Sequence, residues 1–357
     1  MPCFNRKWTW WIVHSQGIYL KGCVIAMILV TGASGFIGFH LCKKLLREGT
    51  DSIVGLDNIS DYYSDKLKKD RIDILNKNPN FNFKKMSISD DLNELFSNNQ
   101  IETIVHLAAQ PGVRHSIENP DECVSVNVTG FLNVLETAKK YNVKKILFAS
   151  SSSVYGNRKS ILSEKMITDS PESVYAMTKK ADELLAYTYS SLYGMNITGM
   201  RFFTVYGPYG RPDMFYYSAA NNLINGKGIE LYNNGNNFRD FTYIDDCVEC
   251  IIKLLNDSST GYNVYNIGNG NSISVLKFIF YLTKELKNAK LLPEEFELIK
   301  HIKNVSKQMG DVESTYADMT KFYDRLNYKP NTPIEIGLQQ FVKWYKEYID
   351  YADGNEA

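Results

Sequence analysis

The chain carries no excess of either charge: 40 Lys and Arg residues balance 40 Asp and Glu residues. Nucleic acid is thereby excluded as the main partner, and an anionic ligand has to be met locally, by a few Arg side chains and helix N-termini. Cysteine is scarce. Six residues, at positions 3, 23, 42, 123, 247 and 250, are too scattered for a disulfide scaffold. Cys247 and Cys250 have C-x-x-C spacing, but no second pair or nearby His accompanies them. One side of an ordinary helix explains them better than a metal, and no metal site is expected. This usage fits a reducing, cytoplasmic setting. Long apolar runs are missing too. The run Cys23–Val30 falls far short of the roughly 20 residues that span a bilayer, so no membrane span is expected. There is no fixed-period repeat and no low-complexity linker.

What remains is a chain of 357 residues, 44% apolar, long enough for one large α/β domain or two lobes. Residues 1–26 stand apart. Trp8, Trp10 and Trp11 are followed by His14, Ser15, Gln16 and Lys21, which deny the segment the apolar core of a signal peptide. This stretch reads as an extension outside the fold, with Met27 directly on the first strand.

From there short apolar runs alternate with helical patterns. Strands are expected at Ile28–Thr31, Ser52–Asp57, Phe81–Met86, Thr103–Leu107, Lys145–Ala149 and Ile197–Phe202. Helices are expected at Ile37–Arg47, Asp90–Ser97, Glu122–Tyr141 and about Ser173–Tyr193. Apolar runs of this length separated by helices mean buried parallel strands joined by right-handed crossovers, a Rossmann-type doubly wound sheet. After Phe203 the rhythm changes. Short strands at Ile229–Tyr232, Arg239–Thr242 and Val264–Ile267 lie among Gly/Asn/Pro-rich loops. Residues 27–203 are therefore the main part of a dinucleotide-binding domain, and 204–357 a smaller C-terminal α/β substrate-binding lobe with some segments returning to the first.

Gly32-x-x-Gly35-x-x-Gly38 follows the first strand. Gly32 allows the tight turn, Gly35 lets backbone approach a pyrophosphate, and Gly38 lets the helix pack on the strand. Phe36 and Ile37 complete that loop. Asp57, with Asn58 after it, ends the second strand, where a carboxylate accepts ribose hydroxyls and repels a 2′-phosphate. The expected cofactor is NAD rather than NADP. Tyr-x-x-x-Lys occurs four times, at Tyr62/Lys66, Tyr141/Lys145, Tyr155/Lys159 and Tyr175/Lys179. Position decides between them, because ligands bind beyond the carboxyl ends of parallel strands. Tyr141 precedes the fifth strand, Tyr155 runs into a Gly-Asn turn, and Tyr62 lies among exposed charges. Only Tyr175 opens a long helix after the fifth strand, with Lys179 one turn on. A free phenol is a poor base near neutrality, and an adjacent cation is the means to make it a better one. A hydroxyl from the run Ser150–Ser153 completes a path to a substrate oxygen. His106, at a strand end, reads as packed structure rather than a base.

The stretches VTGASGFIGFH, GLDN, VHLAAQPGVRHS, FASSSSVYG, YAMTKK, GMRFFTVYGPYGRPDMFYY, RDFTYIDD, VYNIGN and GDVESTYAD, between Met27 and Ile349, resemble the extended short-chain dehydrogenase/reductases, specifically the NAD-dependent nucleotide-sugar 4-epimerases. The block Arg201–Tyr217 is most similar to UDP-glucuronate 4-epimerases. The resemblance implies Ser151, Tyr175 and Lys179 as catalytic residues. It implies Leu107, Ala108 and Ala109 under the cofactor and Asn127 bracing its site, with Ser87 and Ile88 where relatives often have Asp for the adenine. Relatives that dehydrate or decarboxylate carry carboxyl groups after the catalytic hydroxyl; this chain has Ser152 and Ser153. Those serines, Thr204 and Arg211 are implied on the side of a substrate carboxylate. Arg239 is implied at the diphosphate, Tyr232 at the uracil, Asp311 at the ribose, and Arg114 also among the substrate contacts. Met309 replaces a proline expected before Gly310. The resemblance further implies a UDP-sugar substrate and a homodimer through Glu122–Tyr141 and Ser173–Tyr193. Epimerisation of UDP-glucuronate to UDP-galacturonate through a 4-keto sugar is the expected reaction. A neutral UDP-hexose or UDP-N-acetylhexosamine as substrate, and decarboxylation of UDP-glucuronate, stand as alternatives. A non-catalytic NAD-binding regulator would need none of Ser151, Tyr175 and Lys179.

Overall fold

The computed structural model describes residues 27–50, 52–306, 310 and 312–354. The extension expected at 1–26, Met309 and Asp311 lie outside the described residues. The six apolar runs form β1 (Met27–Thr31), β2 (Ile53–Asp57), β3 (Phe81–Lys85), β4 (Ile101–His106), β5 (Lys145–Ser151) and β6 (Ile197–Phe202). Shorter strands follow: β7 (Thr204–Tyr206), β8 (Ile229–Tyr232), β9 (Phe238–Tyr243), β10 (Tyr262–Ile267), β11 (Ser272–Ser274) and β12 (Ile302–Val305).

The main sheet has seven strands in the order β3-β2-β1-β4-β5-β6-β10, all parallel. The order reverses between β1 and β4, which opens a crevice at the carboxyl ends of those two strands. The inner strands are mostly apolar because both faces are covered, whereas the edge strand β3, FNFKK, is partly exposed. Leu29, Ile104, Ile146 and Phe148 pack with Phe131 and Leu135 in one buried cluster. Val30, Val105 and Leu147 pack with Phe39 and Leu41 in another. Alternate side chains of one strand thus serve two layers.

The rest forms a smaller α/β region, with sheets β11-β9-β7 and β12-β8. Two expectations need correction. The strand at Val264–Ile267 does not join this region: as β10 it pairs with β6 from Tyr262↔Ile197 to Ile267↔Phe202 and closes the main sheet. Its sequence, YNVYNI, has no strict alternation and its burial rises toward the carboxyl end, and nothing local in it reports a partner far back in the chain. The helix expected at Glu122–Tyr141 is not uniformly α. Pro120–Val124 and Gly130–Lys140 flank a wide π-type turn at Ser125–Thr129. Asn127 lies in that turn, a common place for a functional side chain.

Candidate active site

A cleft of about 1110 Å³ opens at the carboxyl ends of the main strands. It is lined by residues of the loops after β1, β2, β4 and β5, by Tyr175 and Lys179, and by the segments after β6 and around β8.

The turn after β1 is built on close approach. Gly32 has φ +73°, and a Cβ there would lie 2.7 Å from Ala108 N. A Cβ on Gly38 would lie 2.1 Å from the Gly32 carbonyl oxygen. The helix Phe36–Arg47 starts behind Gly35 with no side-chain cap, which leaves its first N–H groups for a ligand. Asp57 is held in place, accepting from Ser34 N at 3.1 Å and Ile59 N at 2.8 Å. Gly35, Phe36, Ile37, Asn58, Ser87 and Ile88 line the same end. Ser34 Oγ and Gln110 Nε2, on residues that line the cleft, are buried with no partner in the protein. A glycine cradle, a fixed carboxylate and two orphaned polar atoms suit a dinucleotide.

Leu107, Ala108 and Ala109 form the floor. Thr31 Oγ1 accepts from Leu107 N and Ala108 N, both at 3.2 Å, and pairs with His106 Nδ1 at 2.9 Å. His106 stacks on Phe131, and burial, with the Lys179 charge adding to it, lowers its pKa to about 3. It is a neutral structural residue. Asn127 sits behind the wall: it accepts from Gln110 N at 2.7 Å and donates to Thr178 Oγ1 at 3.0 Å. It therefore ties the loop after β4 to the helix of Tyr175.

That helix, Val174–Tyr193, is capped by Ser173, whose Oγ accepts from Ala176 N at 3.1 Å. Tyr175 N donates to Ser116 Oγ at 3.0 Å. Lys179 Nζ contacts Asp182 Oδ2 at 3.0 Å, with both side chains almost wholly buried. From the end of β5, Ser151 Oγ accepts from Ser153 N and donates to Ser153 Oγ, both at 3.1 Å. Ser150 instead points back, donating to Glu183 Oε1 at 2.6 Å. Tyr155 is 1% exposed and donates to Asn266 at 2.7 Å, so the Tyr155/Lys159 pair takes no part in the cleft.

The cleft is also lined by Ser152, Ser153, Thr204, Arg211, Arg114 and Tyr232. The Arg114 guanidinium lies over the Tyr232 ring at 5.3 Å. Arg211 is not an open fork: its Nε donates to Asp213 Oδ1 at 3.0 Å and its Nη2 to Asp213 Oδ2. Burial works to raise the Asp213 pKa, but the guanidinium overrides it and holds the carboxyl below its usual range. Tyr62 donates to Asp213 Oδ2 at 3.3 Å, and burial and then Asp213 push the phenol's pKa upward. Tyr62 is thus part of the cleft wall rather than one of a set of exposed charges. Its recruitment depends on a contact across 151 residues of sequence. Lys68, Gln110 and Asp213 also line the cleft without having been singled out from sequence. The RPDM segment was the one local signal for Asp213.

Arg239 is not part of the cleft wall. Its Nη1 donates to the carbonyls of Phe238 at 2.9 Å and Glu313 at 3.2 Å, within the smaller region. Asp311 lies outside the described residues. Cys247 and Cys250 are fully buried on the helix Ile244–Asn256, in the core.

The comparisons with known proteins agree with this geometry. Residues 28–268 match the NAD dependent epimerase/dehydratase family, and the chain belongs to that family. It is 43% identical over 343 residues to Protein CapI of Staphylococcus aureus, covering 90% of this chain and 98% of that protein. It is 42% identical over 344 residues to UDP-glucuronate 4-epimerase 4 of Arabidopsis thaliana, covering 90% and 75% respectively. Among solved structures it is similar to UDP-glucuronic acid 4-epimerase from Bacillus cereus in complex with UDP-glucuronic acid and NAD. The TM-score is 0.83 at 32% identity, with 90% of this chain and 99% of that one covered. The protein is an NAD-dependent enzyme of the nucleotide-sugar epimerase and dehydratase class, acting on UDP-sugars. Among the described residues no helix is long and apolar enough to cross a membrane.

Proposed function

We propose that the protein interconverts UDP-glucuronate and UDP-galacturonate by epimerisation at C4. The observation that carries this reading is the polar lining of the cleft around Tyr175. Ser151, Ser152 and Ser153 offer hydroxyls and no carboxyl group, and Thr204 and Arg211 stand in the same cleft. Elimination needs an extra acid or base at the serine run, which this chain lacks. A substrate carboxylate, in contrast, finds hydroxyl donors and a guanidinium. The UDP-glucuronate 4-epimerases among the similar proteins support the same reading.

NAD, when bound, supplies the group that accepts a hydride from C4 and later returns it. The residues Gly32, Gly35 and Gly38 would hold its diphosphate and Asp57 its adenosine ribose. Tyr175 takes the proton of the 4-hydroxyl, and Ser151 donates a hydrogen bond to the same oxygen. Lys179 favours the ionised phenol. The 4-keto sugar turns over about its diphosphate tether, and Tyr175 gives the proton back on the other face. Because the Nε/Nη2 edge of Arg211 is engaged by Asp213, a substrate carboxylate meets the remaining guanidinium N–H groups or takes the place of Asp213. Exposed Leu184, Tyr187, Leu192 and Tyr193 on the helix of Tyr175 support a homodimer built on that helix. Light scattering on the purified protein measures it.

The deciding experiment incubates purified enzyme with UDP-glucuronate, UDP-glucose and UDP-N-acetylglucosamine and separates the products. Formation of UDP-galacturonate supports the proposal. An enzyme that ignores UDP-glucuronate and epimerises a neutral sugar refutes it, and a UDP-pentose as the main product assigns decarboxylation instead.

A further inference from the structure

One charged residue beside the candidate site has no part in the reaction so far. Tyr175, Lys179 and Asp182 stand at i, i+4 and i+7 of the helix Val174–Tyr193, along one stripe of its surface. The Lys179 and Asp182 side chains are 2% and 1% exposed, and Lys179 Nζ lies 3.0 Å from Asp182 Oδ2. The other carboxylate oxygen, Asp182 Oδ1, is buried with no hydrogen-bond partner. A carboxylate kept dry with half its acceptors empty is a poor stabilising device, because desolvation weighs against the gain from pairing. Its nearest charge is the ammonium that faces the reacting phenol.

We propose that Asp182 is a positioning residue that holds Lys179 and offsets part of its charge, and so sets how readily Tyr175 ionises. The proposal rests on Tyr175 being the general base. Its sign follows from Coulomb's law. Lys179, one turn from Tyr175, favours the phenolate. Asp182 lies on the same stripe, about 10 Å from Tyr175 along the helix axis, and opposes it in a medium drier than water. The other groups facing this pair do not replace it. On the flanking helix Pro120–Val124, burial raises the pKa of the Cys123 thiol, with Glu122 beyond it. From β4, His106 is neutral. On the same helix Glu183 is engaged by Arg201 from β6. Burial also pushes the Asp182 carboxyl up, although Lys179 pulls it down.

Asp182→Asn keeps the size and an amide oxygen for Lys179 but removes the charge. The first readout needs no turnover. Tyrosinate absorbance is taken as the difference between each protein and its Tyr175→Phe counterpart. The ionised fraction near neutral pH is expected to rise about 3- to 10-fold in Asp182→Asn. The second readout is the acid limb of the kcat/KM profile, expected to move about half to one pH unit lower. Asp182→Ser is measured alongside, with the same direction expected. A folded variant whose tyrosinate fraction is unchanged or lower overturns the proposal. Failure of both variants to fold overturns it too, by assigning Asp182 to stability alone. Full activity in Tyr175→Phe is a different result: it removes the general-base assignment itself.

Discussion

Replacing Glu183 with Leu tests how the reacting side of the cleft is held. Glu183 and Arg201 form a buried pair, their side chains 5% and 4% exposed, with Arg201 Nε at 2.8 Å and Nη2 at 2.7 Å from the two carboxylate oxygens. Ser150 donates to the same carboxylate, and the guanidinium also lies over the Tyr155 ring at 4.8 Å. One side chain thus joins β5, β6 and the helix of Tyr175. Glu183→Leu strands a dry cation, which costs about 3–5 kcal/mol, and leaves a hydroxyl unpaired at about 1 kcal/mol more. Set against a typical stability of about 5–15 kcal/mol, this is a severe loss. The double variant Glu183→Leu/Arg201→Met removes both charges and fills the space with apolar groups. It is expected to recover most of the loss, since such exchanges are often neutral or better. Urea unfolding followed by fluorescence, with and without NAD, gives the midpoints. If the double variant is as unstable as the single one, or the single one lies within about 1 kcal/mol of wild type, then the pair does not govern this part of the fold.

Three further outcomes are expected. Tyr175→Phe lowers turnover by about 100- to 10,000-fold with NAD binding retained, whereas Tyr155→Phe, which leaves Asn266 without its donor, loses about 1–3 kcal/mol of stability and keeps turnover; steady-state rates and thermal melts of the two variants separate these roles. Asp57→Ala removes the charge that repels a 2′-phosphate and narrows the preference for NAD over NADP, read as the ratio of dissociation constants; an unchanged ratio withdraws that role from Asp57. Arg211→Ala and Thr204→Ala raise the fraction of decarboxylated product relative to epimerised product from UDP-glucuronate, and loss of activity with no change in that ratio means that these residues bind the sugar without controlling its carboxylate.

Much of this was legible in the sequence because it is local. The glycine turn, the carboxylate ending β2 and the phenol one turn before Lys179 are each set by spacing along one strand or helix. Position beyond the strand ends points to Tyr175, which lines the cleft, and the burial of Tyr155 explains why its phenol does not. The features that escaped are long-range. Tyr62 joins the wall through Asp213, and β10 joins the main sheet through β6. The contact of Arg239 with the Glu313 carbonyl, across 74 residues of sequence, is another that motif spacing does not encode. The π-type turn at Asn127 also escaped, because a helix with one extra residue in a turn keeps nearly the apolar pattern of an ordinary one.

The two sides of the cleft differ in how firmly they are built, and the proposed reaction needs that difference. Tyr175 and Lys179 ride on a helix anchored by buried contacts: Ser116 at its start, Asn127 at its second turn, and Glu183 with Arg201 one turn beyond Lys179. Proton and hydride transfer require reacting atoms within about 3–3.5 Å, and a side chain free to wander forfeits that. The Arg211–Asp213 pair in the same cleft is more exposed. Arg211 and Asp213 are 21% and 30% exposed, and Tyr62 shares their carboxylate through a long 3.3 Å contact. A 4-keto sugar that must present both faces to one hydride carrier has to leave its first set of contacts and make a second. Groups that share one partner, as the guanidinium of Arg211 and the phenol of Tyr62 share the Asp213 carboxylate, can release one sugar carboxylate orientation and accept another without leaving a charge unpaired. A pair as deeply buried as Glu183–Arg201 would hold one orientation and oppose the turn.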